Sequence, residues 1–168
     1  MSSKKEIDFG GLPLDSIEIG MSSAYSHTIT DADVKSFAGL SGDNNPVHMS
    51  DEYAESSRFG ARIAHGLYSA GFFSALFGTR LPGPGCVYVS QNLRFKLPVY
   101  LGETVTAEVT VISIDSSRRR VFFSTVCAVK GRVVIEGEAE IYIPKPRRSS
   151  TASVIVVSKS SMSEGDAC

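Results

Sequence analysis

The sequence predicts an α+β domain in which a long antiparallel sheet wraps around one buried helix. Three observations carry this reading. Residues 66–78 are almost wholly apolar or small, with no polar face, and a helix that is apolar all round belongs inside a core. Downstream, the segments 87–97, 103–114, 119–130 and 132–143 change to a period of two, as strands with one covered face do. The links between the last three are short, with Asp115-Ser116-Ser117 and Gly131 placed as hairpin turns, which requires antiparallel neighbours.

The elements follow in order. Residues 24–29 form a first strand. Thr30 is an N-cap, with Asp31 and Asp33 in the first turn of a helix, where carboxylates suit the helix dipole. Val34, Phe37 and Ala38 follow at helical spacing, and the helix should end near Gly39 to Gly42. A polar loop, Ser41-Gly42-Asp43-Asn44-Asn45-Pro46, comes next, and Pro46 restricts Asn45 as well as itself. Ser50 opens a short helix. The helix at 66–78 is expected to be buried on every side, and Pro82-Gly83-Pro84 forces a turn after it. In the last strand Val133, Ile135, Gly137, Ala139, Ile141 and Ile143 should face the core, with Glu136, Glu138 and Glu140 outside. A sheet wrapped on a central helix in this way is the hot-dog fold. The domain is expected over residues 15–144, after a flexible N-terminus (1–14) and before a serine-rich tail (145–168). The tail is too polar to offset the entropy of ordering, apart from the patch Val154-Ile155-Val156-Val157.

Composition excludes several function classes. A chain of 168 residues with 42% hydrophobic and 21% charged residues can bury a core unaided. Its formal net charge of −1 lacks the basic footprint of a nucleic-acid binder. No run of about 18 apolar residues would span a membrane. The basic start Lys4-Lys5 has no apolar stretch behind it, so a secretory signal is not expected. Three scattered cysteines, Cys86, Cys127 and Cys168, suggest neither a disulfide framework nor a metal motif. These features point to a reducing compartment, the cytoplasm or an organelle matrix.

Chemistry concentrates between Phe37 and His48. Asp43 and His48 flank a turn made of two asparagines and a proline, which can fold so that both side chains converge on one water. A carboxylate and an imidazole so placed can orient that water and take its proton. On the residues alone the plainer reading is the stronger one: Asp43 as a turn-stabilising side chain and His48 as an ordinary surface or core histidine. A second element is His65-Gly66 at the start of the apolar helix. Unpaired N–H groups at a helix N-terminus attract negative charge, and glycine lets a substrate carbonyl come close. Taken alone, Gly66 reads first as a helix-start glycine needed for packing. His27 reads as structural, and Arg118-Arg119-Arg120 as a solvated face or a contact for a phosphate.

The stretch Gly42-Asp43-Asn44-Asn45-Pro46-Val47-His48 resembles, without a gap, the signature of the MaoC-like (R)-specific enoyl-CoA hydratases. Ile63-Ala64-His65-Gly66-Leu67, Leu81-Pro82-Gly83-Pro84-Gly85 and Leu93-Arg94-Phe95-Lys96-Leu97-Pro98-Val99 resemble the segments that follow in that family, so the likeness spans about residues 15–144. It implies that Asp43 and His48 are the catalytic acid/base pair and that the Gly66 amide binds the thioester carbonyl. It further implies that Ser74, Asn45 and His65 line the substrate pocket. The implied reaction is (R)-specific hydration of a (2E)-enoyl-CoA to a (3R)-3-hydroxyacyl-CoA, and its reversal. No metal and no cofactor is expected, coenzyme A being part of the substrate, and the expected partner is a second copy of the chain. The alternatives are a (3R)-hydroxyacyl dehydratase acting on an acyl carrier protein, a hot-dog thioesterase, and a non-catalytic acyl-thioester-binding protein.

Overall fold

A computed structural model of the protein describes residues 10–145. The first nine residues of the expected flexible N-terminus, the tail from residue 146 and its patch at 154–157 lie outside the described residues.

Strand β1 (Ser22–Thr28) leads into helix α1 (Asp31–Ser41). Thr30 caps α1 in a full capping box, its hydroxyl accepting from the Asp33 N–H while the Asp33 carboxylate accepts from the Thr30 N–H. The helix ends at Gly42, which takes a left-handed φ of 79° that suits glycine. A one-turn helix α2 (Pro46–Met49) and α3 (Asp51–Ser56) follow, then α4 (Gly66–Thr79). The chain continues as β2 (Val87–Phe95), β3 (Thr104–Asp115), β4 (Arg120–Val129) and β5 (Arg132–Tyr142). All five strands pair antiparallel in one sheet, in the order β1-β3-β4-β5-β2.

The sheet curls around α4. Phe73, Leu76 and Phe77 on the helix are fully buried against Val105, Val109, Phe123 and Ile141 from β3, β4 and β5. Fully burying side chains of this size is worth roughly 1.5–3 kcal/mol each, so this contact dominates the core. The architecture is the expected hot-dog arrangement. Two local expectations are corrected.

The helix is not buried on every side. Leu67 is 60% exposed, and Gly71, Ser74, Ala75 and Gly78 share its open face. The amino-acid pattern marks that face as apolar and small, but nothing among the described residues covers it. In β5 the alternation breaks at its start: Val133 lies outside at 38% exposure while Val134 is buried at 2%. The cause is a β-bulge. Cys127 pairs with Ile135 but Ala128 pairs with Val133, so Val134 is the extra residue and slips inward.

Gly137 shows why the sheet closes tightly at its β2 edge. A Cβ there would lie 2.0 Å from the Asn92 carbonyl oxygen of β2. The β5–β2 pairing therefore needs a residue without a side chain at this position. The β4–β5 hairpin turns through Lys130 and Gly131 with φ values of 50° and 77°, the two positive values of a type I′ turn.

Candidate active site

The short helix α2 sets His48. Asn45 is its N-cap, the side-chain oxygen accepting from the Val47 N–H at 3.3 Å, and Pro46 occupies the first turn, where a missing N–H costs nothing. His48 is buried, and its Nδ1–H donates to the Ile63 carbonyl at 2.8 Å. A carbonyl only accepts, so this bond fixes the proton on Nδ1 and leaves the Nε2 lone pair free to act as a base. Arg62 braces the same turn. Its Nε donates to the His48 carbonyl at 2.7 Å while its guanidinium pairs with Asp31 of α1.

Asp43 stands at the mouth of the turn, with its side chain about half exposed at 51%. One carboxylate oxygen accepts from the Asn45 N–H at 3.2 Å, and the Asp43 carbonyl accepts from His65 Nε2–H at 2.9 Å. His65 is packed inside, its ring centroid 3.9 Å from that of His48 and 4.9 Å from that of Phe37. An Asp43 oxygen and one ring nitrogen from each of His48 and His65 all lie within 4.8 Å of one another. That spacing lets one water bridge Asp43 and His48. These three residues are also the group that could take a metal ion among the described residues. His65, however, turns a donor toward Asp43, which removes one imidazole lone pair from such a set.

Two cavities meet at this point. One, of about 250 Å³, runs past Phe59, Ile63 and Leu97, and the other, of about 210 Å³, runs past Phe37, Asp43 and His65. His48, Gly66 and Phe95 line both. Gly66 begins α4, and the preceding His65 makes no side-chain cap. The helix therefore presents uncapped N–H groups and its positive dipole end where the cavities join.

Asp43, His48, His65 and Gly66 are thus brought together as the sequence suggests. The other two expected pocket residues lie elsewhere. Asn45 lines neither cavity, because its side chain is consumed in capping α2. Ser74 is exposed and faces an outer groove with Gly71, Tyr88 and Gln91. At about 100° per residue it lies roughly 140° around the helix from Ser69. Ser69 is the serine of α4 that borders the 250 Å³ cavity, and its hydroxyl is buried without a protein partner.

Sequence reasoning also missed Phe95, Arg58 and Lys96, which reach the cavity from β2 and from the loops beside it. Phe95 and Lys96 lie inside a segment that resembles the family, whereas Arg58 lies between two such segments and carried no signal of its own. The basic run is accounted for locally. Arg118 pairs with Asp115, Arg119 donates to the Ile143 carbonyl, and Arg120 pairs with Glu140. His27 is structural, its Nε2 lying 3.0 Å from the Asp33 carboxylate and 3.3 Å from the Tyr68 hydroxyl.

Burial pushes the His48 imidazole below its ordinary value of 6.5, against the opposing pull of the Ile63 carbonyl; the neighbouring His65 lowers it further and Asp43 raises it. A depressed histidine stays neutral when folded while the unfolded chain takes up a proton, so acidification favours unfolding. The His48 contribution to stability is therefore complete above about pH 6.5 and falls as pH drops from there to the lowered folded value. A base at Nε2 has the same direction. Activity is expected to be flat at neutral pH, with its acid limb below 6.5, the ordinary value. A pH–rate profile checks this, and an acid limb centred at or above pH 7 contradicts it.

The chain matches the model of the MaoC-like domain over residues 16–133. It is 52% identical over 130 residues to an (R)-specific enoyl-CoA hydratase of Rhodospirillum rubrum, covering 77% of this chain and 90% of that one. It is 45% identical over 134 residues to a 3-hydroxybutyryl-CoA dehydratase of Methylorubrum extorquens, covering 80% and 85%. Among solved structures, the (R)-hydratase from A. caviae superposes with a TM-score of 0.75 at 38% identity, over 77% of this chain and 98% of that one. On sequence and on fold together, the chain belongs to the MaoC-like dehydratase family.

Proposed function

We propose that this protein is a hydro-lyase that adds water to a (2E)-enoyl-CoA to give a (3R)-3-hydroxyacyl-CoA, and catalyses the reverse dehydration. The observation that carries this reading is the convergence of Asp43 and His48 at the junction of two cavities, beside the open N-terminus of α4. Asp43 and His48 hold one water. His48 Nε2 takes its proton as the oxygen bonds to C3 of the enoyl chain. The π electrons move onto the thioester oxygen, where the Gly66 N–H faces the growing negative charge. The acid/base pair then returns a proton to C2, which restores the carbonyl and the resting charge. The thioester itself acidifies the α-carbon, so the sequence of steps calls on no metal or redox cofactor. The (R) stereochemistry and the coenzyme A carrier rest on the names of the relatives.

Purified protein with crotonyl-CoA should show loss of the enoyl thioester absorbance and formation of the 3-hydroxyacyl product. Release of free thiol would instead show a thioesterase, and turnover of crotonyl-acyl-carrier-protein alone would show the carrier-protein dehydratase. No turnover of any thioester would leave a binding protein.

The protein is further read as a homodimer. Among the described residues both sheet edges are open, but they differ. The exposed positions of β1 are Ser22, Ala24, Ser26 and Thr28, whereas β2 exposes Val87 at 49%, Tyr88 at 38%, Val89 at 42% and Phe95 at 54%. An apolar edge strand invites pairing, and the uncovered face of α4 lies beside it across the outer groove. Pairing of β2 with its copy would cover both. Sedimentation at micromolar protein should give a dimer, and a fully active monomer contradicts this. The described cysteines, Cys86 and Cys127, are free thiols, in keeping with a cytoplasmic protein. No helix among the described residues is long and apolar enough to cross a membrane.

A further inference from the structure

The 250 Å³ cavity has a chemical gradient along its length. His48 and Ser69 are buried at its inner end, Phe59, Ile63 and Leu97 form apolar walls, and the exposed side chains of Arg58 and Lys96 stand at its rim. The two cations are not equivalent. The Lys96 ammonium lies 2.9 Å from the Glu136 carboxylate and is neutralised there. Arg58 has no ion pair or side-chain hydrogen bond among the described residues. Its guanidinium lies 4.7 Å from the centroid of the Phe59 ring. A guanidinium held over a ring by cation–π attraction spends none of its N–H groups on a conventional acceptor. Phe59 itself lines the cavity, so this contact holds the fork at the rim.

A guanidinium fork without an ion pair among the described residues, at the mouth of an apolar passage, suits a phosphate, which it can hold by two parallel N–H···O bonds. We infer that Arg58 binds a phosphate group on the carrier half of the thioester substrate and sets the preference for phosphorylated carriers over bare thioesters. The inference rests on the thioester reading of the site. Coenzyme A and a carrier protein both carry the 4′-phosphopantetheine phosphate, and coenzyme A has further phosphates on its nucleotide.

The test compares crotonyl-CoA, crotonyl-4′-phosphopantetheine and crotonyl-pantetheine, which has no phosphate. In Arg58→Gln the KM for crotonyl-CoA should rise about tenfold, equivalent to about 1.4 kcal/mol, with much smaller change in kcat. The KM for crotonyl-pantetheine should move far less, so the ratio of the two narrows. Arg58→Lys should recover part of the discrimination, since it keeps charge and loses the fork. Arg118→Gln, which removes an exposed arginine of the β3–β4 turn, should leave the ratio unchanged. A shift for crotonyl-CoA and crotonyl-4′-phosphopantetheine alike assigns the contact to the shared phosphate, and a shift for crotonyl-CoA alone assigns it to the nucleotide phosphates. Equal changes with all three substrates, or none with any, overturn the inference. If the wild-type protein hydrates none of them, it is the thioester reading that fails, before any variant is measured.

Discussion

His48→Gln is expected to lower kcat/KM for crotonyl-CoA by about 10²- to 10⁴-fold, the usual contribution of a positioned acid/base group. The amide occupies similar space and can still donate to the Ile63 carbonyl that accepts from Nδ1 at 2.8 Å. It has no lone pair basic enough to take a proton from water. Asp43→Asn should lose activity on a similar scale, because its carboxylate charge is removed while the bond from the Asn45 N–H can still be accepted. The two groups act on one water, so the double variant should be little worse than the poorer single one. Steady-state kinetics on the two single variants and the double variant decide this, with thermal melts to show that the fold survives. An Asp43→Asn variant at full activity would falsify the hydratase reading, and losses that multiply would separate the two residues into independent roles.

The sheet was legible because its signal is local. From β3 to β5 each strand buries every second residue over most of its length, and the hairpins sit on residues whose backbone preferences demand a turn, such as Gly131 with φ of 77°. Where the signal is not local, the reading failed. Val134 has the same side chain as Val133, and only the pairing with β4 decides which of them turns inward. Helix α4 is apolar all round, and hydropathy alone does not say whether a face is covered by the same chain or by another. The site divides in the same way. Asp43 and His48 are five residues apart on one turn, so the chain itself brings them together. Arg58, Ser69 and Phe95 meet only through the packing of β2 and the 57–62 loop against the start of α4. Ser74 and Ser69 are both serines in an apolar helix, and choosing the one at the cavity needs the angular position of the helix against the sheet.

Gly66→Ala is expected to reduce kcat/KM by about 10²- to 10³-fold, the cost of losing one oxyanion donor in comparable sites, while leaving the melting temperature within a few degrees. The two halves of this expectation have one geometric cause. A Cβ on Gly66 would lie 2.5 Å from the edge of the Phe95 ring, and no backbone atom is as close. Phe95 is 54% exposed, so its ring can swing outward at little cost to the core. The new methyl group then sits where the two cavities join, in the space a thioester carbonyl needs to approach the Gly66 N–H. A helix start also accepts alanine readily by propensity, since no positive φ is required there. Phe95→Leu in the Gly66→Ala background separates steric from electrostatic loss. If the methyl acts only by displacing the ring, the smaller side chain should restore most of the rate. If the methyl keeps the carbonyl away from the amide, the rate should stay low in the double variant, and that is the expected result. Full activity in Gly66→Ala would remove the amide from the mechanism and leave Gly66 as a packing residue beneath Phe95.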